Sequence, residues 1–63
     1  MQAKLALRYL DRLLVVLTEQ TFREWVQERR DKGMPWYSIA IELSKVTGVD
    51  TAPETIRRYY EHP

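Results

Sequence analysis

Sixty-three residues carrying ten Lys and Arg against nine Asp and Glu, a formal net charge of +1, make one small domain and exclude a polycation. Any affinity for an anionic partner must come from where the cations sit, not from their number. With no cysteine, a single histidine at His62, no metal-ligand cluster and no glycine-rich phosphate loop, neither an enzyme, a metal site nor a cofactor or small-molecule substrate is expected. No apolar run approaches the roughly 18 residues a membrane span needs, and no signal peptide is visible, so a cytoplasmic protein without membrane contact is expected.

Residues 2–19 contain no Gly or Pro and are rich in Leu and Ala, which predicts a helix. On a helical wheel Leu5, Tyr9, Leu13 and Val16 form one apolar stripe. Leu7, Leu10, Leu14 and Leu17 form a second, at the alternating spacing of a heptad seam. Together they cover about 200° of the helix, against the roughly 100° a surface helix needs. One stripe is expected to meet the domain's own core and the other a second copy. The Leu7, Leu10, Leu14, Leu17 stripe is the one expected at the twofold axis of a homodimer.

Thr21 to Lys32 predicts a second helix. Thr21 and Glu24 make a capping box at its start, and Phe22, Trp25, Val26 and Arg29 share a face. Gly33 and then Pro35 supply the stop. Between Thr18 and Thr21 no residue forces a break, so the first two helices could also run on as one bent helix. Met34 to Ser38 leads into a third helix. Trp36 is expected in the core against Trp25 and Phe22, which leaves Tyr37 and Ser38 as the outward residues there.

From Trp36 to Glu61 the sequence predicts two short helices around a glycine-containing connection. Ile39, Ala40 and Leu43 give the first an apolar face, with Ala40 small enough for a close crossing and Gly48 suited to a positive φ at its end. Val49 is suited to plugging the corner. The second opens either with Thr51 as N-cap and Glu54 completing a capping box, or with Ala52 as cap and Pro53 at N1. Both openings fit the residues. Ile56 and one of Tyr59 and Tyr60 turn inward, while Arg57 and Arg58 turn outward.

This order, Ile-Ala-x-x-Leu, then Gly-Val, then Thr-Ile-Arg-Arg, resembles the helix-turn-helix of small DNA-binding regulators of phages and mobile elements, and also transposase-type helix-turn-helix segments. The sequence departs from the shortest form of the motif, since Ser44 to Thr47 separate Leu43 from Gly48, and Asp50 and Thr51 lengthen the far side. The resemblance implies an all-α domain of three to four helices whose last two are the motif. It implies binding to double-stranded DNA as a transcriptional repressor, in association with the nucleoid. The residues it nominates are Tyr37, Ser38 and Lys45 from the first helix of the motif, with Thr51, Pro53, Glu54, Thr55, Arg57 and Arg58 from the second. Tyr37, Ser38 and Arg58 are expected on phosphate and Arg57 on a base edge. Lys45, Arg57, Arg58 and some cations of the second helix would neutralise about four to six phosphates. The alternative is a helical interaction module that docks a protein through its Leu-rich first helix, with Arg57 and Arg58 merely solvated.

Overall fold

The computed structural model describes residues 3–62, with side-chain surroundings from Arg8 to His62. Four helices follow one another: α1 (Ala3–Thr18), α2 (Phe22–Asp31), α3 (Trp36–Thr47) and α4 (Pro53–Glu61). Among the described residues there is no strand, and the all-α class expected from the sequence is the class observed.

The junction after α1 is a true break, not a bend. Thr18 Oγ1 donates to the Leu14 carbonyl at 2.7 Å and accepts from the Gln20 amide at 3.3 Å, closing the helix end locally. Glu19 then adopts φ 63°, a left-handed conformation that costs a non-glycine residue roughly 1 kcal/mol. The turn is tolerated because its products are well satisfied. The Glu24 amide donates to Thr21 Oγ1 and the Thr21 amide to Glu24 Oε1, so the expected capping box forms in full. The next free amide of α2, that of Phe22, donates to Asp11 Oδ1 at 2.8 Å. One helix thus caps another through a side chain eleven residues earlier.

That bond and the burial of one face of α1 go together. Asp11 sits beside Leu10 and Leu14 on the helix surface, so directing Asp11 at the start of α2 directs these leucines into the core. They are 1% and 0% exposed. The expectation that they line a twofold axis is therefore corrected: Leu10 and Leu14 are consumed within the chain, and Leu17 of the same stripe is exposed. The side chain of Leu7, like that of Leu5, lies outside the described residues. The stripe left outside is the other one, with Tyr9 60% and Val16 78% exposed and Leu13 half-buried.

Helix α2 ends in a Schellman motif. The Gly33 amide donates to Arg30 O and the Met34 amide to Arg29 O, with Gly33 at φ 83°. Helix α3 runs to Thr47 and stops at Gly48, φ 75°. Buried residues of all four helices meet in one core: Leu10 and Leu14 from α1; Phe22, Trp25 and Val26 from α2; Ile39, Ala40 and Leu43 from α3; Ile56 from α4. Val49 packs against this core from the α3–α4 turn, as its position suggested. Tyr59 and Tyr60 both pack on it, where the sequence suggested only one. Tyr59 meets Phe22 edge-to-face at 5.1 Å, and Tyr60 meets Trp36 at 5.7 Å. The partner of Trp36 is thus Tyr60, in place of the expected Trp25 and Phe22.

In a domain this small each core group counts. Asp11→Ala should cost about 1 kcal/mol as a lost helix cap, and Leu14→Ala about 2–5 kcal/mol. Val16→Ala should stay within about 0.5 kcal/mol. Urea denaturation followed by circular dichroism measures all three, and equal losses at Leu14 and Val16 would contradict this packing of α1.

Candidate nucleic-acid interface

The outer face of α3 follows from helical spacing. Ile39, Ala40 and Leu43 point into the core, so Tyr37, Ile41, Ser44 and Lys45, at steps of three and four, share the opposite side. The α3–α4 turn rises beside this face. Ser44 Oγ donates to Asp50 Oδ1 at 2.6 Å, which ties the turn to α3 one turn before that helix ends. Between the two runs an open groove of about 560 Å³, walled by Tyr37, Ile41, Ser44 and Lys45 on one side and by Asp50, Thr51, Ala52 and Pro53 on the other.

The groove ends at the start of α4. Of the two openings the sequence allowed, the structure takes the one with Ala52 as N-cap and Pro53 at N1, and no side chain caps the helix. Glu54 does not close a capping box on Thr51, because its carboxylate is engaged by Arg57 and Arg58. Helix α3 likewise starts without a side-chain cap, after Pro35. Helix α2, by contrast, is fully capped. Helices α3 and α4 therefore lack side-chain caps at the positive ends of their dipoles, which suits an anion such as phosphate.

Of the nine nominated residues, the structure brings Tyr37, Lys45, Thr51 and Pro53 together on the groove. Ser38 and Thr55 are half-buried beside it in sequence, and Glu54 is exposed at the first turn of α4. The two arginines differ in exposure and in pairing. Arg57 is 37% exposed and clamped along its own helix, donating through Nε to Glu54 at 3.2 Å and through Nη1 to Glu61 at 2.9 Å. Arg58 is 75% exposed and has one long contact, 3.5 Å to Glu54. Freeing Arg57 for an outside partner would break its contacts with two carboxylates, whereas Arg58 would give up only one long contact. Exposed Ile41 was not nominated, although its place one residue after the inward Ala40 already aims it outward.

The cations of α2 are otherwise employed. Arg29 lies 3.8 Å from the Trp25 ring centre and pairs with Glu42 at 3.0 Å and Glu28 at 3.2 Å. Arg30 covers Trp36 and donates to Met34 O at 2.7 Å. Arg23 covers Tyr60 and donates to its carbonyl at 2.6 Å, and the Tyr60 hydroxyl donates to Gln27. These guanidinium groups seal the core's aromatic edge and fasten α2 to α3 and α4. The expectation that cations of this helix add phosphate contacts is revised accordingly.

Neither a protein-family model, nor a curated protein, nor a solved structure shows a significant match to this chain. Among the described residues no group of His, Asp and Glu is placed to hold a metal ion, and no helix is long and apolar enough to cross a membrane.

The Glu54–Arg57 pair gives the site a measurable pH signature. The hydrogen bond from Arg57, helped by the charges of Arg57 and Arg58, holds the Glu54 carboxyl below its ordinary value of 4.5. A depressed folded-state pKa means that the pair's contribution is fully present above 4.5 and is lost as pH falls through the lower midpoint. Carboxyl-carbon NMR should therefore place the Glu54 midpoint below 4.5, and Arg57→Gln should bring it back up. A midpoint unmoved by Arg57→Gln would mean that the pair does not persist in solution.

Proposed function

We propose that this chain binds double-stranded DNA through α3 and α4 used as a helix-turn-helix, as a small transcriptional regulator of repressor type acting at the nucleoid. The observation that carries this is the shared groove. The outer face of α3 and the uncapped start of α4 open on the same side, with Tyr37 and Lys45 on one wall and Thr51 and Pro53 on the other. A motif that lays its second helix in the major groove needs this arrangement, because the first helix must reach phosphate while the start of the second reaches bases. The five-residue connection, longer than in the shortest form of the motif, is braced by the Ser44–Asp50 hydrogen bond.

The roles follow from exposure and chemistry. Lys45 and Tyr37 contact phosphate from α3, with the amides at the start of α3 adding to them. Pro53 and Ala52 suit contact with a thymine methyl group, and Thr55 a hydrogen bond to a base edge. Arg58 takes a phosphate or a guanine, and Arg57 supports α4 through its two carboxylates. The competing idea, a protein-docking module built on the Leu-rich first helix, is weakened because Leu10 and Leu14 are spent inside the domain.

Few cations are free to act, so the electrostatic part is modest. Lys45, Arg58 and a re-partnered Arg57 neutralise about three phosphates. This sets a slope of log K against log salt of about −2 to −3 per copy, from roughly −0.9 per phosphate, shallower than the −4 to −5 that four to six phosphates would give. Lys45→Ala should weaken binding evenly on all sequences and flatten that slope by about 0.9. Arg58→Ala should cost about 1–3 kcal/mol if it pairs with guanine, and the loss should then be confined to sites carrying that base. The measurements are fluorescence anisotropy at several salt concentrations and selection from random-sequence duplexes. Failure to enrich any duplex, together with a slope near zero, would remove DNA binding as the function.

A further inference from the structure

We propose that Glu54, helped by Glu61, is a specificity gate on α4: in the free domain the two carboxylates occupy Arg57 in place of phosphate, and only a well-matched duplex displaces them. This rests on α3 and α4 being the DNA-binding motif. It adds how a surface with so few free cations tells one site from bulk duplex.

Helix α4 carries two cations, Arg57 and Arg58, and two carboxylates, Glu54 and Glu61, so the helix is neutral. The four side chains form one line of contacts. Arg57 donates to Glu54 through two nitrogens, Nη2 to Oε1 and Nε to Oε2, the latter at 3.2 Å. That is the fork by which a guanidinium also takes a phosphate. Glu61 accepts from the remaining nitrogen, Nη1, at 2.9 Å. All three nitrogens of Arg57 are therefore engaged. Arg58 is restrained far less, by one 3.5 Å contact to Glu54. Lys45 makes no ion pair with another described residue.

Support of the helix explains only half of this. Glu54 lies in the first turn, where an acid suits the helix dipole. Glu61 is the last residue of α4, where an acid opposes the dipole. Its contact with Arg57 accounts for it, and the dipole does not. The Glu54 side chain is also 56% exposed at the end of the groove, so an approaching phosphate meets its charge. Exposed pairs of this kind are weak, and the clamp yields to a partner of good geometry. Bulk duplex is then held by Lys45 and Arg58, and Arg57 joins only on a site whose contacts offset its lost carboxylates.

Fluorescence anisotropy against a selected duplex and a random-sequence pool, at several salt concentrations, tests this. For the natural chain the slope of log K against log salt should be shallower on the pool by about 0.9, one phosphate fewer. Glu54→Gln with Glu61→Gln should erase that difference and tighten the pool roughly eightfold at about 0.1 M salt. Each single variant should go part of the way, and circular dichroism checks that all are folded. In an Arg57→Gln background the same changes should leave the slope unmoved. An arm without DNA follows the Arg57 Nε–Hε signal by NMR during titration with inorganic phosphate. The signal should stay still in the natural chain and move in the double variant. If no protein binds duplex while this contrast holds, DNA binding falls and the gate stands as a gate against phosphate. Equal response of Arg57 in both proteins, a gain that survives in the Arg57→Gln background, or a Glu54→Gln loss confined to one base pair of the selected site would overturn the proposal.

Discussion

The core depends on how α1 is rotated about its own axis, a rotation that buries Leu10 and Leu14 and brings Asp11 to the start of α2. Helix α2 begins with amides that have no partner inside the helix, and two side chains supply them: Thr21 from the turn and Asp11 from α1. The Thr21 cap is local and would form in any context. The Asp11 bond is not local, and it goes with one rotation of α1 about its own axis. Rotate α1 so that Tyr9 and Val16 face inward and Asp11 swings away from Phe22, leaving a half-buried helix start without its cap, which costs about 1 kcal/mol, while Leu10 and Leu14 leave the core. The core leucines, the exposed stripe and the dock for α2 all follow from that rotation.

A second constraint is the economy of positive charge. A chain with ten cations and nine anions has few to spare, and this domain spends most of those on α2 on its own aromatic residues. Tyr60 and Trp36 pack at the edge of the core and stay half-buried, unlike the fully buried Trp25. Guanidinium groups laid over their faces shield them while remaining partly hydrated. On α4 the same economy operates through carboxylates, with Arg57 held by Glu54 and Glu61. What remains outward on the α3–α4 side is narrow: Lys45, Arg58 and two helix starts without side-chain caps. A surface so sparing in charge fits recognition by shape and a few close contacts better than capture by a broad electrostatic field.

The uncapped starts of α3 and α4 are the counterpart of the fully capped α2. Proline serves at both, as N-cap in α3 and as N1 in α4, where it removes one orphan amide and stiffens the helix start without offering a side-chain acceptor. No side chain caps the amides that remain. The stability forgone at these ends is recovered in the core beneath them, where Ile39, Ala40, Leu43 and Ile56 join the two helices.

Much of this was legible in the sequence because its causes are local. Helix limits follow from capping residues and from Gly33 and Gly48 at positive φ, and the inner face of α3 follows from the spacing of Ile39, Ala40 and Leu43. Local chemistry could not choose between two apolar stripes of similar size on α1, or between two openings of α4 that both satisfy capping rules. Nor could it foresee that Arg57 would be claimed by both Glu54 and Glu61 while Arg58 kept only a 3.5 Å contact to Glu54. Those outcomes depend on which groups meet across tens of residues: Asp11 with Phe22, Arg23 with Tyr60, Tyr59 with Phe22. The sequence by itself determined the helices and the residues able to build a core. Only tertiary packing decided which face of each helix was used, because burial and hydrogen bonding between distant segments settle choices that helical periodicity leaves equal.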